Sequence, residues 1–142
     1  MNIKIESNSH FTIHNLPYGI FSTPTKPRRA GIAIGNQIID LSVLFDLNFF
    51  ENKIENNVFS QSSLNDFIAL GKDVWSFVRN KIQQLLTEES VFFNEHHQSF
   101  LYQQSEAIMY VPVKIGDYTD FYSSEEHASN VGKMFRPTMD PL

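Results

Sequence analysis

Residues 30–41 read AGIAIGNQIIDL, and no other stretch restricts the fold as tightly. Isoleucine and alanine flank a Gly35-Asn36 pair, and glycine takes without steric cost the positive φ that a two-residue hairpin loop requires. The stretch therefore predicts two antiparallel strands meeting at 35–36, and GIFST at 19–23 adds a third. TPTKPRR, at 23–29, lies between them. Its prolines fix φ and its charges favour solvent, which predicts an exposed connection.

Downstream the periodicity changes. Ser42 has the place of a cap for a short helical turn through VLFDL, and FFENKIENNVFSQ at 49–61 has mixed period and several asparagines, as a connecting region would. Ser63 and Asp66 have capping-box spacing, and Leu64, Phe67, Ile68, Val74, Val78, Ile82 and Leu85 recur at helical intervals. Gly71 interrupts that stripe at a cost of about 1 kcal/mol in a helix interior, so the region is one kinked helix or two consecutive ones. TEESVFFNEHHQSF at 87–100 loses the period, and EAIMYVPVKI at 106–115 reads as a strand that stops at Pro112 or passes it at a sheet edge.

A chain of 142 residues is the size of one domain and can bury about 68% of its unfolded surface. Thirteen phenylalanines make its core unusually aromatic. The net charge of −5 and the scatter of basic residues argue against nucleic acid as a partner. Cysteine is absent, which excludes a disulfide framework and any thiolate metal site. The start, MNIKIESNSHF, has no apolar signal core, and no apolar run approaches the roughly 20 residues of a membrane span; a cytoplasmic protein without membrane contact is expected.

The densest chemistry lies in IGDYTDFYSSEEHASNVGKMFR, at 115–136. Asp117, Asp120, Glu125 and Glu126 form an oxygen-rich cluster of the type that Ca²⁺ or Mg²⁺ prefers, though without the EF-hand pattern. His127 is the imidazole within this cluster, a side chain that can take a proton from water near neutral pH. Arg136 has the planar fork suited to a carboxylate, and Tyr122 offers a ring and a hydroxyl; either residue is equally suited to a surface ion pair or to packing. Ser123 and Ser124 lack the glycine elbow of an acyl-transfer nucleophile. The His96-His97 pair, on extended backbone, would point to opposite faces and suits a solvated loop better than a metal site. His10 and His14, near Pro17 and in β-like surroundings, are expected to be structural.

HNLPYGIFST at 14–23, GIAIGNQIIDLS at 31–42 and above all the DYTDFYSS…H…N.G.MFR segment resemble the amino-terminal third of the fumarylacetoacetase family. The resemblance implies a metal-dependent hydrolase that splits a carbon–carbon bond of a diketo acid, 4-fumarylacetoacetate, to fumarate and acetoacetate, at the end of tyrosine and phenylalanine breakdown. It implies that Asp120 binds the Ca²⁺ or Mg²⁺, that Tyr122 and Arg136 contact substrate, and that His127 activates water while the metal acts as Lewis acid on the diketone oxygens. It also implies an α+β, mainly β fold. Residues 1–114 would form a small SH3-like barrel with attached helices, and residues 115–142 the first strand and loop of a truncated, β-rich catalytic domain.

The remaining metal ligands and the residue orienting the histidine belong, by this resemblance, to a carboxy-terminal catalytic domain missing from the chain, and the full-length enzyme would be a homodimer. The chain alone is accordingly expected to be inactive and to bind metal weakly, and its closing MDPL reads as an incomplete end. The competing expectation is a stand-alone, non-catalytic interaction module that retains the motif.

Overall fold

The computed structural model describes residues 3–136; the closing MDPL lies outside the described residues. Strands β1 (Tyr18–Thr23), β2 (Lys26–Ile34) and β3 (Gln37–Asp40) form consecutive hairpins, followed by α1 (Leu41–Asp46). After a 3₁₀ turn at Val58–Ser60 come α2 (Asn65–Ala69), α3 (Lys72–Thr87) and α4 (Val91–Phe100), then β4 (Leu101–Gln103), a second 3₁₀ turn, β5 (Ile108–Tyr110) and α5 (Glu125–Phe135).

The hairpin at 35–36 forms as the sequence predicts, with Ile34 opposite Gln37 and Gly35 at φ 57°. Only the first loop residue takes positive φ, which is the pattern of a turn with glycine in the leading position. The exposed connection expected at 23–29 is shorter than that. Thr23 pairs with Lys26, so Pro24 and Thr25 alone make the turn, and Arg29 is drawn into the strand because its guanidinium is buried against Phe21 and bonded to Asp40.

All neighbouring strands are antiparallel, in the order β4-β3-β2-β1-β5. The sheet is open: among the described residues no ladder joins β4 to β5, so the expected SH3-like barrel is not formed. Each edge strand has three residues, and Pro112, with no N–H to donate, follows β5 almost at once. Helices contribute more residues than strands, so the fold is mixed α and β, not mainly β.

One sheet face carries Ile20, Ala30, Ile32, Ile34 and Ile39 into a core closed by Leu44, Val78, Ile82 and Leu85 from the helices. The phenylalanines supply its bulk. Ring centroids run from Phe50 to Phe59 (5.4 Å), to Phe67 (5.1 Å) and to Tyr18 (5.2 Å), tying the loop after α1 to α2 and the sheet. The opposite face holds Phe21, Gly31, Ile38 and the Arg29–Asp40 pair.

Three helix starts differ from expectation. Asp40, not Ser42, caps α1, its Oδ1 accepting from Val43 N at 3.1 Å. Ser63 does not cap α2; the backbone there is held by a remote segment, with Leu64 N donating to Pro112 O (2.7 Å) and the Asn65 side-chain amide donating to Lys114 O and accepting from Lys114 N. Most of the stretch at 87–100 is helical: α4 starts after its cap, Ser90, and buries Phe93 and Phe100. Gly71, at φ 83°, separates α2 from α3, which resolves the choice between one helix and two.

Candidate functional site

The hydrogen bonds Leu64–Pro112 and Asn65–Lys114 fix where the chain leaves the sheet. From Val111 to Ser124 it has no regular structure, and the first strand expected after residue 115 is absent among the described residues. What forms is a helix. Ser124 caps α5 by accepting from His127 N (3.2 Å), and Glu125 and Glu126 occupy the first turn, where carboxylates stabilise the helix dipole. The Glu126 carboxyl is held below the usual carboxylate range by its own backbone N–H and then by the Ser124 hydroxyl, which donates to it at 2.9 Å.

This cap sets the position of His127. Its ring stands edge-on to Tyr122, with centroids 5.2 Å apart. Asp120 lies earlier, in the irregular segment, where its Oδ2 accepts from the Tyr118 hydroxyl at 3.1 Å. No hydrogen bond or ion pair links Asp120 with His127 among the described residues. Arg136 caps the far end of α5, its N–H donating to Gly132 O at 2.7 Å. Nine residues of helix place His127 and Arg136 about 13 Å apart along the axis and on opposite sides. The structure therefore brings Tyr122 to His127 and carries Arg136 to the other end of the helix, while Asp120 bonds to Tyr118. All four side chains are exposed.

A metal does not fit these residues by themselves. Ca²⁺ and Mg²⁺ take six or more oxygen ligands, whereas Asp120 offers one exposed carboxylate, already bonded to Tyr118. Among the described residues no group of three His, Cys, Asp or Glu side chains is placed to hold an ion. His96 and His97 lie on α4 rather than in a loop. The His97 ring stacks on Phe93 and its Nδ1 is 3.1 Å from Phe93 O, while His96 packs against Phe92. Ser124 is the site residue whose role the sequence reading missed. A serine directly before two glutamates is the signal of a helix N-terminus that would have found it.

A family model described as "Fumarylacetoacetase N-terminal" matches residues 14–112. This chain belongs to the fumarylacetoacetase family. A fumarylacetoacetase of Dictyostelium discoideum is 47% identical over 139 residues, covering 94% of this chain and 33% of the relative. The fumarylacetoacetase of Caenorhabditis elegans is 48% identical over 141 residues, with the same coverage, and that of Homo sapiens 45% over 147, covering 99% of this chain and 35% of its own. The chain thus spans about a third of the length of the curated fumarylacetoacetases it matches. Since 94–99% of the chain is matched, the similarity extends beyond residue 112, where the family model stops, into the segment of the candidate site. No helix among the described residues is long and apolar enough to cross a membrane.

Proposed function

We propose that this chain provides the amino-terminal portion of a hydrolase that cleaves 4-fumarylacetoacetate to fumarate and acetoacetate, residues 115–142 being the start of its catalytic domain. The identity to fumarylacetoacetases along nearly the whole chain carries this reading. His127 takes a proton from water, the hydroxide adds to a carbonyl carbon, and the bond to the acetoacetate carbon breaks with its electron pair going to the leaving group, which is then protonated. Tyr122, against the His127 ring, and Arg136 bind substrate, the arginine through a carboxylate. Asp120 contributes one ligand to a Ca²⁺ or Mg²⁺ site whose other oxygens lie beyond the described residues.

On this reading the 142-residue chain is inactive alone, because His127 and Arg136 do not converge and Asp120 has no co-ligands among the described residues. The barrel expected for residues 1–114 would close only with further pairing at β4 or β5. In the whole enzyme, a cytoplasmic homodimer, a carboxy-terminal catalytic domain supplies what gathers the site.

The test is a graft in which this chain replaces the aligned third of the Dictyostelium discoideum relative, with diketone absorbance followed on addition of 4-fumarylacetoacetate. The graft should turn over, and His127→Ala within it should lose about 10²–10⁴-fold in kcat, the usual contribution of a positioned general base. A folded graft with full activity after His127→Ala, or turnover by the isolated chain, would overturn the assignment. Turnover by the graft at all would reject the reading as a non-catalytic module.

A further inference from the structure

We propose that the cleft between β1, α2 and α3 is a binding site for an apolar carboxylate, its hydrocarbon body lying against Phe67 and Trp75 and its anion between Lys72 and Arg79. The cleft is open to solvent, has a volume of about 400 Å³ and is lined by Tyr18, Phe67, Ile68, Lys72, Trp75 and Arg79 among others, a size and a mainly apolar lining within the range of small-molecule sites. It shares no residue with the 115–136 segment, so its fate is independent of the hydrolase reading.

Its walls are prepared for a flat apolar body. Trp75 Nε1 donates to Phe67 O at 2.9 Å, which fixes the indole plane, yet 37% of the residue stays open to solvent. Ile68, 46% exposed on α2, extends the apolar rim. An aromatic side chain held rigid but uncovered costs little further entropy when a ligand packs on it.

Its polar groups lack an anion. Lys72 and Arg79 lie seven residues apart on α3, about 10 Å along the axis, a gap both long side chains can close upon one carboxylate. Neither forms an ion pair among the described residues, although the chain as a whole carries −5. Arg79 is held at the wall by its Nη1 donating to Asn15 O (2.8 Å) and by the Tyr18 ring 5.5 Å away. The Tyr18 hydroxyl is buried and has no hydrogen-bond partner among the described residues. Burial raises its pKa to about 12, so it stands as an unused donor at neutral pH.

Trp75 is the single tryptophan of the chain, so its fluorescence reports on this cleft alone. The 142-residue chain is titrated with 4-phenylbutyrate, with the corresponding amide and with inorganic phosphate. A saturable change is expected for the carboxylate, weakening as salt is added, with the amide binding about tenfold less tightly, as loss of one charge-assisted contact predicts. Lys72→Met should weaken the carboxylate to a similar degree without altering thermal stability, because Lys72 is exposed; Arg79→Met should weaken it as much, with some loss of stability from the contacts to Asn15 and Tyr18. Should Arg79→Met fail to fold, Lys72→Met and the amide decide the matter. The proposal is overturned by the absence of saturation, by equal affinity for carboxylate and amide, by a Lys72→Met chain that binds as before, or by phosphate competing as well as the organic acid.

Discussion

Replacing Asp40 by asparagine should destabilise the chain by about 3–5 kcal/mol, the usual cost of stripping one partner from a buried ion pair. Asp40 is fully buried, and its Oδ2 accepts from Arg29 Nε at 2.5 Å while Oδ1 caps α1 through Val43 N. Asparagine keeps the shape and an oxygen for the cap, so the substitution isolates the charge. Among the described residues Arg29, 4% exposed, would then retain only the Pro27 carbonyl at Nη1, with Nη2 already lacking a partner and its guanidinium against the rings of Phe21 and Tyr102. Asp40→Ala should cost about 1 kcal/mol more, the worth of a helix cap. The penalty comes from the orphaned cation, so Arg29→Met introduced into the Asp40→Asn chain should restore much of the loss. Urea unfolding with an unchanged slope measures each variant, and a few kcal/mol is a large share of the 5–15 typical of a domain. An Asp40→Asn chain within about 1 kcal/mol of the parent, or a double variant no more stable than the single one, would refute the reasoning.

Tyr18 gives a pH dependence of definite sign: the unfolded chain ionises it near pH 10, whereas burial holds the proton on the folded chain to about 12. Between those values the unfolded state binds fewer protons, so stability that is fully present below pH 10 falls as pH rises. Ultraviolet titration should show a late tyrosinate phase that Tyr18→Phe removes; a phase that survives the substitution contradicts this. A Cβ at Gly31 would meet Ile38 Cγ2 and Phe21 Cε1, each at 2.7 Å, so Gly31→Ala should cost about 1–3 kcal/mol by overpacking, read as a lowered urea midpoint, and an unchanged midpoint would show that the face yields. Ser124→Ala removes the acceptor of His127 N and should lower the population of α5 about fivefold, seen as reduced helical shifts over residues 125–135 in NMR; unaltered shifts would deny the cap its role.

What the sequence made legible was local. The 35–36 hairpin, the stripe through Val78, Ile82 and Leu85, and the break at Gly71 each depend on a few neighbouring residues, and each forms as expected. The misses depend on distant partners. Arg29 looks like a solvated charge until Phe21, Asp40 and Tyr102 surround it. Ser63 looks like a cap until Pro112 and Lys114 occupy the start of α2 instead. α4 was lost because its buried pair, Phe93 and Phe100, is spaced two turns apart and the intervening polar face hides the period. The barrel that the resemblance implies is not formed for another reason: closure depends on edge pairing, and the two edge strands, of three residues each, do not pair with one another among the described residues.

The candidate site shows the same division more sharply. Closeness in sequence placed His127 and Arg136 in one motif, yet the helix that Ser124 starts carries them about 13 Å apart, so folding this segment separates what the sequence groups. α5 has eleven residues with Gly132 inside it, short of the 12–15 or so at which isolated helices become even marginal, so local energy alone holds its geometry weakly. Phe121 and Phe135, each 80% exposed, and Met134, 70% exposed, flank the site residues on either side. Burying each would contribute about 1.5–3 kcal/mol, more than a cap or an interior glycine is worth. A surface that covered those three side chains would therefore outweigh the local terms in setting the arrangement of Asp120, Tyr122, His127 and Arg136. That is why a segment with so specific a sequence forms so little of a site on the sheet and helices that precede it.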